Sequence, residues 1–367
     1  MKIAYLLNIP SPYRVDFLNV MGENNDVKVF FENKYSKYRN LNWHKFNHVN
    51  FTSEYLSETE NFKFKYSYFI YLLRNNDRTF VIGGYSTFYG MLSIALMKTF
   101  NRRYILNIDG GFVKKENFLT RIIKKFFIGG ATAYLVPGDK SKDYLLNYDV
   151  EESRIYKYPF TSIYQKEIVE YNQIDSLKKK YRKEFGFDEN EKIIIGVGSF
   201  VPAKGYIDLI NLKRKLGKEF RLVLVGGKPS QEYMDLISEC GIQNIRFMDF
   251  QTKENVKKLL TLSDLFVHPS RYDVWGLVIN EAMSCGLPII SSYECMAALE
   301  MIKDEHNGFL VNTQDIEQLL TKVLYILENE DVRKKMSINS IDIIQNYTIE
   351  KMAIRTGEII GDVVIKN

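Results

Sequence analysis

The stretch HPSRYDVWGLVINEAMSCGLPIISS, residues 268–292, decides how the chain is read. An apolar strand, Leu265–Val267, runs into it. A loop follows that carries an acid, Asp273, and a glycine, Gly276, and then a helix with a second acid, Glu281. The helix stops at Gly286, and Pro288 opens another apolar strand. Strand, loop, helix and strand form the βα unit of an open α/β sheet, whose ligands sit at the carboxyl ends of the strands. Gly276 lets the chain turn and a ligand approach the backbone closely. The free N–H groups of Leu277 and Val278 then face that ligand with the positive end of a helix dipole behind them, which suits a phosphate. Glu281 lies one turn deeper than Leu277 on the same helix face. A carboxylate there does not help a phosphate, but it accepts hydrogen bonds from neighbouring sugar hydroxyls. Taken alone, two acids at this spacing would be a helix cap and a solvated helix charge; it is the flanking pattern that argues otherwise.

That pattern resembles the acid–seven residues–acid signature of the retaining glycosyltransferases of family 4, the "glycosyl transferases group 1" with the GT-B fold. The family's usual form has Glu at both ends; here the first is Asp273 and the second Glu281. The likeness extends through Asn280, Ala282, Met283, Gly286, Pro288 and the preceding Pro269-Ser270. It implies two Rossmann-like α/β domains facing across a cleft, with the last helix crossing back onto the first domain. It also implies that Glu281 binds the ribose hydroxyls of a nucleotide, Asp273 the hydroxyls of the transferred sugar, and the Gly276–Val278 amides the diphosphate.

A chain of 367 residues is long enough for two domains. Hydrophobic residues at 46% and charged residues at 26% are a globular composition. Cys240, Cys285 and Cys295 form no metal-ligand spacing, and so few cysteines suit a reducing cytoplasm. The apolar start MKIAYLLNIP is cut short by Asn8 and Pro10, so it reads as a first strand rather than a leader. No run of about 18 apolar residues exists to span a membrane. Charge is uneven: residues 1–167 carry 24 Lys and Arg against 16 Asp and Glu, a net +8, whereas the remainder carries 26 against 29, a net −3. A basic N-terminal half suits an anionic membrane surface or acceptor as well as it suits plain solubility. Scattered basic residues without a zinc-finger, RNP or helix-turn-helix pattern argue against nucleic acid.

Along the chain, strands are expected at Ile3–Leu7, Val27–Phe31, near Phe46–Phe51, and at Thr79–Ile82, Arg103–Asn107, Ala133–Val136 and Arg154–Tyr158. Helices are expected near Phe64–Arg74, Tyr89–Thr99 and Ser141–Leu146. The loop after the first strand is Pro10-Ser11-Pro12-Tyr13-Arg14, rigid rather than glycine-rich. In the resembling family this loop faces the diphosphate, so Pro12 and Arg14 are expected there, with Arg14 supplying charge or else lying on the surface. Asp109, at a strand end before Gly110-Gly111, is the ionisable candidate for an acceptor or catalytic role where relatives often carry His; otherwise it is a turn aspartate. Asn117–Ile128 alternates basic and apolar residues, and either lies on a membrane or faces the core with a wet basic side.

The first domain is expected over residues 1–165, as the acceptor side, together with a final helix over about 348–367. The charged stretch up to about 190 reads as a linker plus a helix, and the nucleotide-sugar domain spans 190–347. Its first strand, Lys192–Val197, leads into Gly198-Ser199-Phe200-Val201-Pro202-Ala203-Lys204-Gly205. A third glycine at dinucleotide spacing is lacking. The loop resembles the family's Gly-Arg…Lys-Gly element, whose Arg and Lys hold the donor diphosphate. Lys204 matches the Lys, and Ser199 stands where the Arg usually is. Further strands are expected at Arg221–Val225, Ile245–Met248, Ile289–Ser292 and Gly308–Val311, with Met248 and Phe250 bordering the base.

Moving a glycosyl group off a nucleoside diphosphate builds negative charge on the leaving phosphate, and stabilising that charge in a dry site is the largest available effect. The chain has no Asp-x-Asp triplet. Lys204 and the helix start at Gly276–Val278 are therefore expected to serve without a metal or other cofactor, which is also the family's habit. The expected function is retaining transfer of a sugar from a nucleoside-diphosphate sugar, UDP first, to a saccharide or lipid-linked saccharide in cell-surface glycan assembly. It is placed in the cytoplasm, with possible contact with the inner face of the membrane. The alternatives are a GT-B nucleotide-sugar epimerase and a catalytically inactive GT-B partner subunit, for which Asp273 in place of Glu and Ser199 in place of Arg are the support.

Overall fold

The computed structural model describes residues 1–34, 48–57 and 64–365. The chain divides into two compact units, Met1–Ser162 with Thr348–Asn367, and Ile163–Tyr347.

In the first unit the order is β1 (Lys2–Leu7), α1 (Pro12–Gly22), β2 (Asp26–Asn33), β3 (Thr52–Ser57), α2 (Tyr66–Arg74), β4 (Thr79–Ile82), α3 (Phe88–Thr99), β5 (Tyr104–Asn107), α4 (Phe118–Ile128), β6 (Ala133–Val136), α5 (Asp139–Leu146) and β7 (Ile155–Lys157). These strands form one sheet in the order β3-β2-β1-β4-β5-β6-β7, every neighbouring pair parallel. A parallel sheet covered on both faces reads as unbroken apolar runs. KIAYLL of β1 is such a run, buried from Ile3 onward. The strand expected near Phe46–Phe51 lies partly outside the described residues, and the described part holds none; the third strand begins at Thr52 and pairs Phe31 with Tyr55. Its sequence TSEYLS buries only its last two residues at the sheet edge, so apolar patterning does not mark it.

The second unit continues with α6 (Ile174–Phe185), β8 (Lys192–Val197), α7 (Tyr206–Lys215), β9 (Phe220–Val225), α8 (Gln231–Glu239), β10 (Ile245–Met248), α9 (Lys253–Thr261), β11 (Leu265–His268), α10 (Leu277–Ser284), β12 (Ile289–Ser292), α11 (Met296–Met301), β13 (Gly308–Val311), α12 (Ile316–Glu328) and α13 (Glu330–Ile344). Its parallel sheet runs β10-β9-β8-β11-β12-β13. That is the doubly wound nucleotide-binding order, with its switch point between β8 and β11. The charged stretch expected as a linker is packed into this unit. Arg182 of α6 is buried and donates to Asp264 Oδ2 at 2.7 Å and to the Leu262 carbonyl at 3.0 Å, and Lys178 reaches Asp264 Oδ1 at 2.5 Å. A buried carboxylate shared by two cations and the Ile193 N–H stays ionised, against the pull of burial. The last helix, α14 (Ile349–Ile365), belongs to the first unit, where it packs against α1 and buries Ile349, Met352, Ala353, Ile359 and Ile360.

Helix α4 differs from the core-facing reading. Of its residues only Ile128 is buried, and Phe118, Leu119, Ile122, Ile123 and Phe126 are exposed.

Candidate functional site

The switch point of the second sheet puts the loops after β8 and β11 side by side, and hydrogen bonds stitch them together. Arg271 N–H donates to the Ala203 carbonyl at 2.7 Å, Ser270 Oγ donates to the same carbonyl at 2.8 Å, and Arg271 Nη1 donates to the Pro202 carbonyl at 3.1 Å. Arg271 Nη2 also meets Asp208 of α7 at 2.9 Å. The loops approach so closely that residue 205 must be glycine: its φ is +68°, and a Cβ would lie 2.1 Å from the Pro269 carbonyl oxygen. Gly276 has the same double requirement, with φ +94° and Cys295 Sγ 2.6 Å from where a Cβ would be.

This stitching carries Lys204 to Asp273. Lys204 Nζ lies 2.5 Å from Asp273 Oδ2, and His268 Nε2, wholly buried at the end of β11, lies 3.0 Å from the same oxygen. Burial alone would raise the Asp273 carboxyl, but the His268 hydrogen bond and the Lys204 charge outweigh it and hold it at about 2. Burial pushes the His268 imidazole below its ordinary value, with Lys204 adding to that and Asp273 opposing it. A neutral ring donating from Nε2 leaves Nδ1 as a buried acceptor without a protein partner. Asp273 is thus a fixed anion with two donors on one oxygen. Lys204 keeps two further N–H groups for a ligand.

His268, Asp273 and Cys295 also place their ligand atoms within 4.8 Å of one another. That set fits a closed polar cluster better than a cation site. The Asp273 oxygen is already shared by an ammonium and an imidazole, and burial pushes the Cys295 thiol up to about 12 while its Sγ bonds the Trp275 carbonyl at 3.1 Å.

The first turn of α10 begins at Gly276, and Ile279 N–H is tied back to the Gly276 carbonyl at 2.9 Å, so the Leu277 and Val278 amides are the ones left at the mouth. Glu281 stands partly buried in the next turn, and Asn280 is locked beneath it by the Trp275 indole N–H at 3.1 Å. In the loop after β8, Phe200 turns inward onto Tyr206, ring centroids 4.9 Å apart, and leaves Ser199 exposed. Phe250 is exposed just beyond β10.

The first unit has its own built rim. Arg14, expected at the surface or on phosphate, is buried under Tyr13 and Phe160, 5.5 and 5.2 Å from their ring centroids, and its guanidinium pairs with Asp109. Asn107 Nδ2 donates to the same Asp109 oxygen at 2.6 Å. Pro12 opens α1, two residues before Arg14. Two residues of interest went unread in the sequence. His268 is one, and its signal was an imidazole closing the strand five residues before Asp273. Glu32 is the other: it closes the apolar run VKVFFE, and burial pushes it to about 7 although Thr87 Oγ1 donates to it at 2.5 Å.

Residues 178–342 match the model of the family described as glycosyl transferases group 1. The N-acetyl-alpha-D-glucosaminyl L-malate synthase of Bacillus anthracis is 28% identical over 187 residues, 50% of this chain and 49% of that protein. The N,N'-diacetylbacillosaminyl-diphospho-undecaprenol alpha-1,3-N-acetylgalactosaminyltransferase of Campylobacter jejuni is 22% identical over 71% of this chain and 68% of that protein. The match therefore spans about half the length of the first of these relatives and two thirds of the second. Among solved structures, Anabaena HepE in complex with UDP superposes with a TM-score of 0.77 at 16% identity, covering 99% of this chain and 100% of that one. The fold is GT-B, built of two Rossmann-like units, and residues 178–342, a little under half of the chain, match the glycosyl transferases group 1 family.

Proposed function

We propose that this chain is a hexosyltransferase-type glycosyltransferase. In this reading it moves a sugar from a nucleoside-diphosphate sugar, UDP first, to a saccharide or lipid-linked saccharide acceptor, with retention and without a metal. The observation that carries the proposal is the Lys204–Asp273 pair at the switch point, beside the open amides of α10. Lys204 and the Leu277 and Val278 amides receive the diphosphate and stabilise the charge that builds on it as the glycosidic bond breaks. Asp273 offers its other carboxylate oxygen to the hydroxyls of the sugar. Glu281 takes the ribose, and Ser199 and Phe250 border the nucleotide. Asp109, held by Arg14 beside Pro12, takes an acceptor hydroxyl on the first unit. With an ammonium and a helix mouth on the leaving phosphate, the phosphate itself can take the acceptor proton, so a separate strong base is not required.

Two comparisons support the finer parts: HepE was solved with UDP, and the Campylobacter relative is named for a diphospho-undecaprenol acceptor. A lipid-linked acceptor fits an enzyme working at the inner face of a membrane. Among the described residues no helix is long and apolar enough to cross one.

The test is UDP-sugar cleavage by the wild type and by Lys204→Ala, with and without EDTA, alongside a thermal-shift panel of nucleotide sugars. UDP-sugars are expected to stabilise more than GDP-sugars, and EDTA to change nothing. Equal background release by both proteins would sink the enzyme reading, and a metal requirement would sink the metal-free mechanism.

A further inference from the structure

The exposed side chains of α4 follow one stripe. Phe118, Leu119, Ile122, Ile123 and Phe126 recur at the spacing of a single helix face, and Phe118 and Leu119 are 76% and 71% exposed. Five large apolar side chains in water on a helix of 11 residues call for a partner. The helix cannot roll over to bury them, because its basic side is fastened down. Arg121 donates to the Asn147 carbonyl at 2.6 Å, Lys124 pairs with Glu116 at 2.7 Å, and Lys125 pairs with Asp149 at 2.5 Å. Glu116 is held in turn by Tyr148 Oη at 2.8 Å. At the carboxyl end, Lys98 Nζ donates to the Phe126 and Gly129 carbonyls at 2.7 and 3.3 Å.

Two further features lie toward the carboxyl end of α4, where Lys98 is bonded. Exposed Phe100 follows Lys98, and Arg102 and Arg103 come directly after it. With Arg78 and Thr132 these arginines line a cavity of about 420 Å³ that also includes Asp77 and Val363 of α14. Arg78 is paired with Asp26 at 2.5 Å and Asp77 with Lys2 at 2.6 Å, so the cavity's remaining charge is positive. Residues 98–128 carry eight Lys and Arg against two acids, Asp109 and Glu116, and none of the acids is on α4 itself.

We infer that the α4 stripe, with the arginine-lined cavity near its end, docks this unit on an anionic lipid bilayer. The reasons are shape and charge. An apolar stripe on a segment of net positive charge matches an acyl boundary beneath anionic headgroups. A second copy of the same face would bring the two sets of cations against each other. The helix is about 16 Å long at 1.5 Å per residue, too short to cross about 30 Å of hydrocarbon, so it lies in the interface. The cavity takes the phosphate of a headgroup, through guanidinium donors suited to it. This inference adds the lipid surface to the glycosyl-transfer reading and rests on it only for its purpose.

The experiment is co-sedimentation of the full chain with vesicles of phosphatidylglycerol and phosphatidylcholine, and of phosphatidylcholine alone. The proteins compared are the wild type, Leu119→Ser/Ile122→Ser/Ile123→Ser and Arg102→Gln/Arg103→Gln. The wild type is expected to bind the anionic vesicles at least about tenfold better than the neutral ones, and less well as salt rises. The triple serine variant is expected to lose about tenfold or more of that binding while keeping its melting temperature and its UDP-sugar cleavage. The arginine variant is expected to lose a few-fold, mostly of the preference for anionic lipid. The idea is overturned if the wild type binds neither vesicle, or if the serine variant binds as well as the wild type. It is overturned equally if light scattering shows a wild-type dimer that the serine changes split, which would make the face a self-contact. Cleavage absent from the wild type while vesicle binding persists would instead remove the transfer reading and leave the docking surface standing.

Discussion

The two units share a strand order around their switch points but build the rims differently. In the second unit glycines let two loops touch, and a partly exposed lysine meets a partly buried aspartate above a buried histidine. In the first unit prolines stiffen the corresponding loop, and the cation is the buried partner while the aspartate is half-exposed. The contrast teaches which charge is offered to a ligand. Lys204 can reach an anion with two spare donors, so the second rim suits a phosphate. Arg14 is enclosed and presents Asp109, so the first rim suits a hydroxyl.

The sharpest break of that comparison is Lys204→Ala. Donor cleavage should fall by about 10² to 10³, the scale of losing one charged stabiliser of a leaving group; a fall of only a few-fold would mean the second rim is not anion-binding. Asp109→Ala should leave donor cleavage near wild type but strand a buried guanidinium. Exposure of the acid moderates that cost, and we expect about 2–3 kcal/mol less stability by chemical denaturation. Loss of donor cleavage would place the residue outside the acceptor rim. Glu32 sharpens the contrast through pH. Its carboxyl, raised to about 7 by burial, favours the neutral form in the fold, so stability is lost as pH climbs from the ordinary carboxyl range through 7. Glu32→Gln should therefore gain about 3 kcal/mol at pH 8 and little at pH 4, and an equal effect at both pH values would contradict it. The smallest effect is expected of Glu281→Ala, which should weaken UDP about tenfold by titration calorimetry, the value of one charged hydrogen bond. Unchanged UDP affinity would move the nucleotide away from α10.

Much of the second unit was legible in advance, because buried parallel strands are written as apolar runs ended by glycines. Lys192–Val197, Ile245–Met248, Ile289–Ser292 and Gly308–Val311 have the expected bounds. The edge strand Thr52–Ser57 was not legible, since half of an edge strand's side chains remain wet. The charged run before Lys192 looked like a linker because its buried members, Lys178 and Arg182, are cations that only a distant acid, Asp264, makes tolerable. The amphipathic pattern of α4 was plain, but which side would face inward was not: Glu116, Asn147, Tyr148 and Asp149, which hold its basic side down, come from other segments.

By itself, the sequence determined the α/β class and the sheet-forming runs, and it supplied the lysine and acids of the expected donor site, because these are carried by local period and short motifs. Tertiary structure alone decided that Lys204 and His268 converge on one oxygen of Asp273, that Arg14 is enclosed beneath aromatic rings with Asp109, and that α4 turns its apolar side outward. Each of these is a meeting of residues distant in the chain or a choice between two faces of one element. Such outcomes are settled by which burial and pairing the whole fold can satisfy at once.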